Sequence, residues 1–297
     1  MIPMKELHHL GWFVLTAFIY VICGRPHAEV SPLACLIKAA PILALAYFVW
    51  VRGVRVTSRR SYAKYIFVSL LFAALGDTFI QLKDEGYFLH GMAAFAMSQA
   101  LFVFAFGTTP VDLLVGIPIN LAGLGYYVFL FAHPRVANDR PFALALAIYS
   151  LVICTMLWRA LTRWRMEPTS KGKNSKRTKW LFVGFLGAAS FVVSDSSLAW
   201  WMVVGSYPNA TGIIMGSYYL AQLLISLSIL SEEARGSSGR SNRQSSTNGL
   251  PIKSRSNGRK LPASRRLSQD SANDTARPFD SYDKSFRMYD RAVIYTK

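Results

Sequence analysis

Cysteine is scarce in this chain. Cys23, Cys35 and Cys154 are the only three; each lies in or beside an apolar run, and no CxxC pair occurs. That spacing excludes a zinc ribbon and a disulfide framework. No His/Cys cluster falls at ligand spacing, no Gly-rich phosphate loop follows a strand, and no HExxH or GxSxG motif is present. Neither a metal nor a cofactor is therefore expected. Acidic residues are also few, 16 against 33 Lys and Arg, which gives a formal net charge of +17. The first apolar stretch lacks a small-residue cleavage site followed by a polar mature domain. It reads as a membrane span rather than a removed signal peptide.

What the chain has in quantity is apolar sequence. Hydrophobic residues make up 52% and the mean hydropathy is +0.27. These values fit the high net charge only if the basic residues are concentrated outside the apolar part. A bilayer-spanning helix needs roughly 20 mostly apolar residues. The candidates run at about 10–24, 32–51, 63–82, 88–107, 111–131, 142–162, 180–204 and 210–230, the first of them short. The expected fold is an all-α polytopic membrane domain of eight transmembrane helices over residues 1–230. Residues 231–297 are rich in Ser, Arg, Asn and Lys. They have too little apolar surface to offset their ordering entropy and are expected to form a disordered basic cytoplasmic tail.

Charge sets the expected orientation. Arg52, Arg55, Arg59, Arg60 and Lys64 follow the second span, and Arg163, Arg165, Lys171, Lys173, Lys176, Arg177 and Lys179 follow the sixth. These loops and the tail share one side if both termini are cytoplasmic. The missing cleavable signal suggests the endoplasmic reticulum. An anionic membrane surface, rather than nucleic acid, is the expected partner of the tail. Arg265-Arg266-Leu267-Ser268 has the form of a basic-directed kinase site.

A weak internal repeat is visible. Met92-Ala-Ala-Phe95-Ala-Met-Ser98-Gln99 and Met215-Gly-Ser-Tyr218-Tyr-Leu-Ala221-Gln222 match in Met, aromatic, small residue and Gln at the same spacing. Each block follows a span with one acid, Asp77 or Asp195. Two four-helix halves, forming a parallel repeat, would produce this pattern.

Asp77, Asp195 and Lys38 are the costly residues. A charge at the centre of a span is unfavourable by about 2.5–3.5 kcal/mol on insertion scales, so such groups face the bundle interior. Lys38 lies near the start of its span, and the two acids near the ends of theirs. At a rise of 1.5 Å per residue, the three fall within about 10 Å of one another in depth. They read as one polar site; the competing reading is a structural ion pair. Gln99, Gln222 and Asn120 lie deeper, near mid-span. Phe95, Gln99 and Phe102 share a helix face, as do Tyr218, Gln222 and Ser226. Gly184, Gly187 and Ala188 permit close helix approach before Asp195. Trp200, Trp201, Phe102 and Tyr127 read as packing or interface residues. His90, at the start of the fourth span, either reaches the site or caps the helix.

Taken as an ordered set, several motifs resemble the YhhN family of polytopic membrane proteins, the lysoplasmalogenases. They are Lys38-x-x-Pro41, Gly76-Asp77, Gly91-Met92 with Phe95-Ala96, Ser194-Asp195-x-x-Leu198-Ala199, and Ile214-Met215-x-x-Tyr218-Tyr219-x-Ala221-Gln222. The resemblance covers about residues 33–230. The chain departs from the family pattern at Gln99, where a His is expected, and at Phe102, where a Tyr is expected. An amide cannot titrate.

The resemblance implies hydrolysis of the vinyl ether of a lysoplasmalogen. The products are a fatty aldehyde and a glycerophospho-head group. Vinyl ethers resist base and yield to acid, passing through an oxocarbenium ion, as glycosides do. Two carboxyls in unlike environments suit that chemistry. Asp77 and Asp195 would be the catalytic pair. Lys38 would tune a carboxylate or bind the phosphate, and Gln99, Gln222 and Tyr218 would orient water or the glycerol hydroxyl, with Asn120 nearby. The substrate would be a lysophospholipid within the bilayer. A proton-coupled transporter or lipid-binding protein, and an inactive scaffold, are the readings that compete with an enzyme.

Overall fold

In the computed structural model, residues 7–23, 32–55, 60–167 and 175–234 are described. Among them, the elements are α1 (Leu7–Cys23), α2 (Pro32–Val49), α3 (Arg60–Gln81), α4 (Phe88–Phe106), α5 (Leu113–Phe131), the single turn α6 (Pro134–Ala137), α7 (Arg140–Arg165), α8 (Ser175–Val203) and α9 (Ala210–Leu227). No strand occurs among the described residues. Seven helices are long and apolar enough to cross a membrane, and the apolar part of α1, Leu10–Ile22, is shorter. With 17 residues, α1 rises about 25 Å, less than the roughly 30 Å of a hydrocarbon core. The fold is thus all-α and polytopic, with the expected short first helix.

Local chemistry sets several boundaries. Asp139 caps α7 by accepting a hydrogen bond from the Phe142 amide at 3.0 Å, with Pro141 in the first turn, where a missing N–H costs nothing. Gly86, at φ 89°, reverses the chain between α3 and α4 in a conformation only glycine adopts without strain. Large apolar side chains point outward, Leu114 at 84% exposure and Val21 at 69% among them. That surface suits lipid, not water.

The helices pack in a repeated order. α1 packs on α2, α2 on α3, and α3 most extensively on α4; α5 packs on α7, α7 on α8, and α8 most extensively on α9. α4 then meets α7, and α9 meets α2. Small residues let the strongest pairs approach. A Cβ on Gly187 would stand 2.9 Å from the Ile225 nitrogen and 3.0 Å from the Ala221 oxygen, so α8 and α9 touch backbone to backbone there. Hydroxyls tie the same pairs. Ser69 donates to the Ser98 carbonyl at 2.7 Å across α3 and α4, and Ser194 donates to the Ile214 carbonyl at 3.0 Å across α8 and α9.

The expected boundary at residue 230 differs from the structure. Helix continues through Ser231–Ala234, and Ser231 and Glu232 are buried. Glu232 pairs with Arg163 at 2.7 Å, and Glu233 pairs with Arg52 at 2.8 Å. A polar sequence that reads as tail is therefore held by counter-charges on other helices. Residues 235–297, including Arg265–Ser268, lie outside the described residues.

Candidate active site

A cavity of about 120 Å³ lies among α2, α3, α4, α7, α8 and α9. Lys38, Asp77, Asp195 and Tyr218 line it together with Tyr149 and Ser194. The rest of the wall is apolar, including Met92, Phe95, Phe142, Leu146 and Met202. One water needs only about 10–15 Å³ measured this way, so the space admits part of an organic ligand.

The two carboxyls are held alike. Tyr218 donates its phenol to Asp77 Oδ2 at 2.7 Å. Tyr149 donates its phenol to Asp195 Oδ2. Asp77 is 2% exposed and Lys38 8%, while Asp195 is half-buried. Among the described residues, no ion pair joins Lys38 to either carboxyl. The three ionisable groups line one cavity without closing to ion-pair distance.

The motif residues beside these groups set their positions. Gly76 lies against the Phe95 ring, where a Cβ would come within 2.8 Å of it, so α3 and α4 close together next to Asp77. The Ser194 bond to α9 fixes α8 next to Asp195. Tyr219 donates to the Lys38 carbonyl at 3.3 Å and ties α9 to α2 at the lysine. The Tyr218 ring meets Phe95 and Phe191 edge-on at 5.9 and 5.6 Å, a favourable aromatic geometry that aims its hydroxyl at Asp77.

The structure brings Lys38, Asp77 and Asp195, the three residues expected at one depth, into one cavity together with Tyr218. Gln99, Gln222 and Asn120 are not in its lining. Gln99 and Gln222 are fully buried. Each lies beside a tyrosine, Gln99 near Tyr149 and Gln222 near Tyr218, without a well-formed hydrogen bond. Asn120 donates to the Gly116 carbonyl of its own helix at 2.9 Å. Phe102 packs in the core against Phe106 and Phe191. His90 packs with Phe79 and Tyr87 and does not line the cavity. Trp200 stacks on Phe129 at 5.6 Å. Tyr149 is the residue that sequence reasoning missed. Its one signal is a phenol in mid-span, away from the interfaces where tyrosines gather. Among the described residues, no three His, Cys, Asp or Glu side chains gather as a metal-binding set.

The family model described as the YhhN family matches residues 33–229. The chain belongs to the YhhN family. The match takes in every residue of the cavity, from Lys38 to Tyr218. Among curated proteins, lysoplasmalogenase TMEM86B of Sus scrofa is 34% identical over 228 residues, covering 76% of this chain and 89% of that protein. Lysoplasmalogenase TMEM86A of Bos taurus is 32% identical over 224 residues, covering 73% and 86%. Lysoplasmalogenase TMEM86B of Homo sapiens is 34% identical over 221 residues, covering 74% and 86%. No solved structure matches the chain. As a YhhN protein with seven helices able to cross a membrane, the chain is an integral multi-pass membrane protein.

Proposed function

We propose that this YhhN protein is a lysoplasmalogenase, a membrane-embedded hydrolase that cleaves the vinyl ether of lysoplasmalogens. One observation carries the reading beyond family membership. Two carboxyls, from α3 and α8, open onto one apolar-walled cavity, each held by a single tyrosine. The tyrosine occupies one carboxyl oxygen and leaves the other for substrate or water.

The chemistry then runs as follows. One carboxyl, as general acid, transfers its proton to the alkene carbon remote from the ether oxygen. The π electrons form the new C–H bond, and the adjacent carbon becomes an oxocarbenium ion. The second carboxyl, anionic, stabilises that cation and takes a proton from water as its oxygen bonds to the cationic carbon. The hemiacetal then breaks its bond to the glycerol oxygen: the second carboxyl returns its proton to that oxygen, the first carboxylate takes the proton of the hemiacetal hydroxyl, and a fatty aldehyde leaves. The apolar wall excludes bulk water and strengthens the electrostatic attraction. Lys38 supplies the cation for the substrate phosphate. Tyr218 and Tyr149 hold the two carboxyls in place, and Gln99 and Gln222 stand behind those tyrosines, outside the cavity lining.

We assign both termini to the cytoplasmic side from the basic loops, with the cavity toward the lumen of the endoplasmic reticulum. The basic tail then meets the anionic cytoplasmic leaflet.

The purified protein in detergent, without any gradient, is expected to release one aldehyde per glycerophospho-head group from a lysoplasmalogen. It should release none from the alkyl-ether analogue, which has no alkene to protonate. Binding without product, or uptake that requires a gradient, would overturn the enzymatic reading.

A further inference from the structure

A second cavity, of about 250 Å³, lies among α5, α7 and α8. Leu146, Tyr149, Asp195 and Ala199 line both this cavity and the first. The Asp195–Tyr149 pair thus stands in a shared wall, whereas Asp77 and Lys38 line the first cavity alone. The chemistry of the two spaces differs. The first holds Lys38 and both carboxyls. In the second, Asp195 is the only charged residue, and Ile119, Ile153, Leu157 and Val192 form much of the lining. Of its hydroxyls, those of Tyr126, Tyr149 and Ser150 are engaged. Tyr126 donates to the Ser196 carbonyl at 2.7 Å, and Ser150 donates to the Leu146 carbonyl at 2.8 Å. Nothing there answers a phosphate. Apolar side chains with satisfied polar groups suit a hydrocarbon. The flanking helix α5 turns Leu121, Leu124 and Val128 outward, each more than half exposed, so the space borders the bilayer from which a chain would enter.

A lysoplasmalogen has the same division. Its glycerophospho-group is polar, its single chain is apolar, and the vinyl ether is the joint between them. We propose that the second cavity receives the alkenyl chain, which sets the vinyl ether across the Asp195–Tyr149 pair and leaves the head group with Lys38 and Asp77. This rests on the lysoplasmalogenase reading for the identity of the substrate. It adds that chain length is selected between α5, α7 and α8, and that Asp195 is the carboxyl nearest the alkene.

Filling the cavity tests the assignment. Ile119→Trp and Val192→Phe are expected to raise the ratio of turnover on an octenyl substrate to that on an octadecenyl substrate by about tenfold, the effect of losing burial of about two methylenes. Leu121→Trp, on the lipid face of the same helix, is expected to leave that ratio unchanged. An unchanged ratio in both filled variants would overturn the proposal. Cys154, which lines the cavity, gives a measurement independent of activity and of the fate of those variants. In otherwise full-length Cys23→Ser/Cys35→Ser protein, a hexadecyl methanethiosulfonate should label Cys154. An alkyl-ether lysophospholipid should slow that labelling, and chainless glycerophosphoethanolamine should not. Equal labelling with and without the alkyl-ether lipid would exclude the chain from this space. That result combined with normal vinyl ether turnover defeats the cavity assignment alone. Protection without any turnover supports the cavity and defeats the enzymatic reading.

Discussion

The two ends of the helix bundle use buried charge in opposite ways. At the end where α2 finishes and α8 begins, charges are matched. Arg163 pairs with Glu232 at 2.7 Å, donates to the Ala105 carbonyl at 2.6 Å and lies 4.1 Å from the centre of the Tyr62 ring. Arg52 grips both oxygens of Glu233 at 2.8 and 2.9 Å. Arg159 donates to the Gly107 and Pro110 carbonyls at 2.5 and 2.8 Å. At the end where α2 begins and α3 finishes, Asp77 and Asp195 each accept from one phenol and face a cavity they share with Lys38. Groups that are fully paired hold helices together. Groups that keep an oxygen open to a cavity can meet a ligand, and the contrast sets up a test of structural against functional charge within one fold.

Substitution at each end should move a different observable. The largest effect is expected at the carboxyls. Asp77→Asn and Asp195→Asn should each lower vinyl ether hydrolysis by about 10²–10⁴-fold, the usual contribution of a positioned acid or base, with unchanged elution of the folded protein in detergent. Wild-type-like turnover in either variant would remove that residue from the mechanism. At the opposite end, Arg163→Met should lower stability by up to about 3–5 kcal/mol, because it removes the nearer counter-charge of the buried Glu232 and leaves it only Arg177, at 3.9 Å. Turnover per folded molecule should stay the same. Thermal unfolding and active-protein counts separate the two quantities, and a loss of kcat without a loss of stability would erase the distinction between the ends. The smallest effect should come from Tyr149→Phe and Tyr218→Phe. Each removes one hydrogen bond to a carboxyl, worth about 1.5–3 kcal/mol where that carboxyl is ionised. A drop in kcat of about ten- to a hundredfold, with little change in stability, is the expected outcome. Equal and purely thermal effects would mean that the phenols only brace the helices.

Much of this contrast is legible in the chain. Long apolar runs reveal the spans because backbone in lipid must satisfy itself within helices. Lys38, Asp77 and Asp195 are conspicuous because a charge in a span is costly without an interior role. Their common expected depth follows from the alternating direction of the spans together with helical rise. Rotation and neighbour choice are less legible. Gln99 and Gln222 lie deeper than the acids and are buried outside the cavity lining, and Asn120 bonds to its own helix. Tyr149 resembles any other aromatic in an apolar span, and its role depends on α7 lying against α8. Glu232 and Glu233 read as the start of a polar tail because Arg163 and Arg52, which order them, lie 69 and 181 residues away in sequence.

The sequence by itself determined that the described part of this chain is a set of membrane-spanning helices, and which of its residues are too polar to face lipid. It could do so because hydrophobic length and charge cost are local properties. Tertiary structure alone decided that Asp77 meets Tyr218, that Asp195 meets Tyr149, and that the latter pair stands between two cavities of unlike chemistry. Those facts depend on how each helix is turned and which helix it packs against, and they come from close packing between residues far apart in the chain.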